Sequence, residues 1–122
     1  MAQIYTPAEI QNKIDVLQRS VEHSEMLIQR TKDRLKTERE NKYSAETIAN
    51  TENYIRRQEQ DLKVLKRKLK AWRFLKTQIR AVPVRNGKGE IYKTDHYATF
   101  PNTILGKQRE QEAYANNFSS GL

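Results

Sequence analysis

The chain has 122 residues, of which 31% are charged and 36% hydrophobic, with a net charge of +8 and no cysteine. One domain with a modest core follows from that length and composition, and the lack of cysteine excludes disulfides, thiolate metal sites and a cysteine nucleophile, favouring an intracellular, cytoplasmic chain. The first residues have neither the basic nor the apolar region of a signal peptide, and no apolar run approaches the ~20 residues that cross a bilayer, so a soluble chain without membrane contact is expected.

The first element starts at Tyr5-Thr6-Pro7-Ala8-Glu9-Ile10. Thr6 suits the N-cap, Pro7 the first helical position, Glu9 completes a capping box, and Tyr5 can staple to Ile10. The seam Ile10, Ile14, Leu17, Val21, Ser24, Ile28, Thr31 and Leu35 keeps alternating spacings of four and three, which is heptad patterning. Helix 1 is therefore expected over about 7–40, ending in the polar run near Asn41.

Tyr43-Ser44-Ala45-Glu46-Thr47-Ile48 repeats the same start, with Ser44 as N-cap and Glu46 near the positive helix end. Helix 2 is expected over about 45–81, with the seam Ile48, Thr51, Ile55, Gln58, Leu62, Leu65, Leu69, Trp72, Lys76 and Ile79. A connection this short forces an antiparallel hairpin, and the full second start signal argues against one uninterrupted helix in a parallel dimeric coiled coil. Val16, Leu27, Tyr54, Val64 and Leu75 lie off the seam. They predict a second contact surface and hence a homo-oligomer, dimeric or higher.

After Ala81 the apolar period falls to two, and Val82-Pro83-Val84-Arg85, Asn86-Gly87-Lys88-Gly89 and Glu90-Ile91-Tyr92-Lys93 read as a β-hairpin with Arg85 opposite Glu90. Extended chain follows, then a short polar helix over about 107–116 and a frayed end over 117–122. The fold class is thus mainly α: a long, coiled-coil-like antiparallel helical hairpin over 1–81, followed by a small β-hairpin and an extended C-terminal tail. The ribbon and tail, 82–122, are expected to pack on the open end of the hairpin within the same domain, near Trp72, Phe74 and Leu75.

Charge divides unevenly along this frame. Residues 1–40, 41–61, 62–93 and 94–122 carry net charges of 0, −1, +10 and −1, so the excess lies in one segment. On helix 2, Arg56, Lys63, Lys66, Arg67, Lys70 and Arg73 fall within about 120° of arc and about 25 Å of axis. Such a row can follow a phosphate backbone, giving affinity without sequence reading. A solvated flank answering helix 1 is the plainer alternative, yet Glu9, Asp15, Glu22 and Glu25 set against Lys13 and Arg19 leave helix 1 only −2 to offer. An acidic protein is the other candidate partner.

A second constellation, Phe74, Arg80, Arg85, Lys88, Tyr92 and Arg109, offers aromatic faces and cations for a phosphorylated ligand such as a nucleotide. Trp72 and Arg73 lie beside it, though Trp72 on the seam reads as core. Asn86-Gly87-Lys88-Gly89 lacks the frame and following helix of a P-loop. His23 stands alone and Asp95-His96 has no further ligand at metal spacing, so neither a metal nor a cofactor is expected. With no nucleophile elbow or paired carboxylates, the chain is not expected to be an enzyme. The expected function is a self-associating basic module binding an acidic partner, foremost a nucleic-acid backbone without sequence specificity. A structural scaffold or assembly protein that binds another protein, in keeping with a viral accessory protein, and a nucleotide binder are the alternatives.

Overall fold

The computed structural model describes residues 3–115; the expected frayed end over 117–122 lies outside the described residues. Two long helices dominate, α1 over Pro7–Glu40 and α2 over Ala45–Lys76. They are followed by strands β1 (Arg80–Arg85) and β2 (Ile91–Tyr97) and a short helix α3 (Ile104–Ala113). Both anticipated starts form: the Thr6 hydroxyl accepts from the Glu9 amide at 3.3 Å and the Ser44 hydroxyl from the Thr47 amide at 3.2 Å. Each satisfies one of the amides that a helix start leaves without an intrahelical partner.

The turn between the helices closes as a Schellman motif. The Tyr43 amide donates to the Glu38 carbonyl and the Lys42 amide to the Arg39 carbonyl, while Lys42 takes the left-handed conformation at φ 55°. The helices then run antiparallel, with Gln11 reaching Lys76, Gln18 reaching Arg73 and Glu38 reaching Thr51. The α1 seam is buried at Ile10, Ile14, Val21, Ile28, Thr31 and Leu35, and continues one step further to Glu38.

The main core occupies the open end, away from the turn. Ile10, Ile14, Val21, Leu69, Trp72 and Leu75 form its helical part, and full burial of Ile10 and Leu75 contributes about 1.5–3 kcal/mol each. Tyr5, Phe100 and Tyr114 close on the Trp72 ring edge to face, with centroids at 5.0, 6.3 and 6.1 Å. Thus the N-terminal segment and the tail, not the β-ribbon, seal this end.

Three expectations need correction here. Helix α2 stops at Lys76 rather than near 81, because the Thr77 and Gln78 amides turn back to Phe74 and Leu75 in a tightened last turn and Arg80 already pairs with Tyr97. The ribbon does not pack on the hairpin end: only Val84, Asp95 and Tyr97 among its strand residues are even half-buried. Val64 and Leu75 are buried inside the chain at 6% and 0% exposure, so neither offers an oligomer contact. The α2 surface beyond the seam is used internally, since α3 docks along it.

The ribbon's register also differs from expectation. Arg85 stands opposite Ile91, not Glu90, with a bulge between Val84 and Arg85. The Asn86 carboxamide oxygen accepts from the Lys88 and Glu90 amides, and the Asn86 amide donates to the Glu90 carbonyl, closing the loop one residue later. Gly89 supplies the left-handed step at φ 80°. The Arg85 guanidinium donates to the Gly89 carbonyl at 2.8 Å.

The short polar helix starts earlier than 107, because the Thr103 hydroxyl accepts from the Gly106 amide at 2.9 Å and caps α3 there. It ends at Ala113.

Candidate acidic-partner interface

Helix α2 presents Arg56, Lys63, Lys66, Arg67, Lys70 and Arg73 exposed to solvent. Three of them come together. Lys66, Lys70 and Arg73 line a surface groove with Gln18, Val21 and Leu69, where the α1 and α2 flanks meet. Arg56 sits nearer the turn, in a groove shared with Lys32, Lys36, Arg39 and Glu52, and donates to Asn53 at 3.0 Å. Arg67 faces the other flank, beside Gln108 and Glu112 of α3. The row therefore fans out from its central groove.

Ion pairs among the described residues join Arg34 to Glu38, Arg39 to Glu52 and Lys93 to Asp95, and none includes a stripe cation. The partner helix meets the cations with amides instead. Gln18 accepts from Arg73 through Oε1 and donates through Nε2 to Glu22. Gln11 accepts from Lys76 at 2.8 Å and donates to Asp15 at 2.9 Å. In both relays a neutral amide separates the carboxylate from the cation. The cation is held in place while its charge is not directly paired, leaving it available to an outside anion.

Gln11, Gln18 and Lys76 were not anticipated as members of this face. Lys76 falls on the heptad seam by spacing, yet its side chain is exposed and reaches across the flank. A signal was present: Gln11, Asp15, Gln18 and Glu22 form an alternating amide and acid row along one edge of α1.

The second constellation divides into two places. Arg109 on α3 lies over the Phe74 ring, 5.2 Å from its centroid, a pairing that fastens α3 to α2. Arg80, Arg85, Lys88 and Tyr92 belong to the exposed ribbon. On the ribbon, Asp95 binds Lys93 at 3.3 Å and accepts from the Tyr97 hydroxyl at 3.2 Å. The hydrogen bond that each makes to Asp95, together with the carboxylate charge, raises both the Lys93 ammonium and the Tyr97 phenol above their ordinary ranges. Burial raises Tyr114.

Val16 and Tyr54 are exposed and Leu27 half-buried, so three of the five off-seam apolar positions remain at the surface. Among the described residues, no cluster of three or more His, Asp or Glu is placed to hold a metal ion, and no helix is long and apolar enough to cross a membrane. In comparisons with known proteins, the chain matches no family model, no curated protein and no solved structure.

Proposed function

We propose that this chain is a non-enzymatic, self-associating basic module of the cytoplasm that binds a nucleic-acid backbone without sequence specificity, through the α2 stripe centred on Lys66, Lys70 and Arg73. The observation that carries this reading is the amide-relayed flank: Gln18 orders Arg73 and Gln11 orders the adjoining Lys76, and no stripe cation forms an ion pair among the described residues. Exposed cations spread over about 25 Å of helix, three of them gathered in one groove, can reach successive phosphates of a nucleic-acid backbone. They carry no directional code for bases, which is why the binding is non-specific. Self-association would use Val16, Leu27 and Tyr54.

The test is binding of unrelated duplex and single-stranded sequences at 50 and 200 mM salt, with light scattering to read the oligomer. Six phosphate contacts predict an affinity loss of ~10³-fold across that range. Lys63→Glu/Lys66→Glu/Lys70→Glu should abolish binding while leaving the melting curve in place. Tight binding that survives this triple change would exclude the stripe as the site.

A further inference from the structure

Among the described residues, the β-ribbon has no packing role that accounts for it. Both its faces are largely exposed, with Ile91 and Tyr92 at 56% and 61%. An isolated two-stranded ribbon is marginal in water. This one is nevertheless well specified: mutual hydrogen bonds of 2.8 and 2.9 Å between Tyr5 and Ala98 anchor its base, and the Asn86 carboxamide organises its tip. The tip itself is bare, for a Cβ at Gly87 or Gly89 would meet nothing within 4 Å.

Its charge selects the kind of partner. Between Arg80 and Tyr97 there are four basic residues and two acidic ones, and Asp95 is already bound by Lys93. Arg80, Arg85 and Lys88 are exposed and form no ion pair among the described residues. An apolar protein surface would leave these cations desolvated and unpaired, whereas a phosphate backbone would satisfy them. A two-stranded ribbon is also of a width that enters the major groove of a duplex. Only six residues separate Arg73, at the end of the stripe, from Arg80, at the base of the ribbon.

We propose that the β-ribbon is a second nucleic-acid contact, an arm that lies in the major groove of the duplex whose backbone the α2 stripe grips. Arg80, Arg85 and Lys88 meet phosphates along the groove walls, and the Tyr92 ring lies over the groove floor without a base-specific hydrogen bond. This rests on the proposed function, and the experiment separates the two.

Duplex affinity is measured against salt for the full wild-type chain, for Arg85→Gln/Lys88→Gln, and for the stripe triple variant. Loss of two phosphate contacts lowers the slope of log affinity on log salt by about 1.8, so between 50 and 200 mM the ribbon variant loses about tenfold less affinity than wild type. A photoreactive benzophenone side chain at position 92 should crosslink to the duplex, and it reports even if the double variant loses its turn. A ribbon variant with an unchanged slope and no crosslink, alongside a stripe variant that no longer binds, would remove the arm and leave the stripe standing. Absence of duplex binding by the wild-type chain would overturn both.

Discussion

The Thr51 hydroxyl of α2 donates to the Glu38 carboxylate of α1 across the hairpin, and both side chains are buried, at 1% and 3% exposure. The exposed Arg34 guanidinium completes the group, donating to Thr51 and lying 3.7 Å from Glu38. A carboxylate inside a helical seam costs solvation that only specific partners restore. Removing one partner is therefore worse than removing both. Thr51→Val should destabilise the chain by about 1–3 kcal/mol in chemical denaturation. The double change Glu38→Leu/Thr51→Val should lie close to wild type or above it. Singles and double that simply add would show that the two side chains are not coupled.

The left-handed Lys42 gives a prediction of opposite sign. A side chain at φ 55° bears a steric penalty that glycine lacks. Lys42→Gly should stabilise the hairpin by about 1 kcal/mol, seen as a higher denaturation midpoint at unchanged slope. A lower midpoint would mean that the turn owes more to the lysine side chain than to its backbone.

Gly106 allows α3 to dock. A Cβ there would stand 2.0 Å from the Pro101 carbonyl oxygen and 2.8 Å from its carbon, a backbone clash that no rotamer relieves. Gly106→Ala should cost about 1–3 kcal/mol and shift Trp72 fluorescence, since Tyr114 at the end of α3 covers that ring. Unchanged fluorescence and stability together would show that the segment from Pro101 to Gly106 yields easily.

Asp95 governs the titration of the ribbon. With Lys93 and Tyr97 both raised, their contribution to ribbon stability is complete below about pH 10 and is lost as pH climbs through the raised values. In Asp95→Asn both groups should titrate closer to their ordinary ranges, read by NMR at the Lys93 side chain and the Tyr97 ring. Identical titrations in the variant would exclude the carboxylate as the cause.

What the sequence determined by itself was local. Heptad spacing, the doubled start at Thr6 and Ser44 and the brief break at Asn41 define two helices and their antiparallel pairing, because caps and periodicity act within a few residues. The stripe from Arg56 to Arg73 was legible for the same reason, as it lies on one continuous helix. Only tertiary structure decided what covers Trp72, since Tyr5, Phe100 and Tyr114 are brought there from distant parts of the chain. It likewise turned Val64 and Leu75 inward and left the ribbon uncovered. The end of α2 was set by a strand pairing between Arg80 and Tyr97, a contact that no local pattern encodes. Finally, the amide relays through Gln11 and Gln18 exist only where the two helix flanks meet, so the ordering of the basic face is a property of the pair and not of either helix.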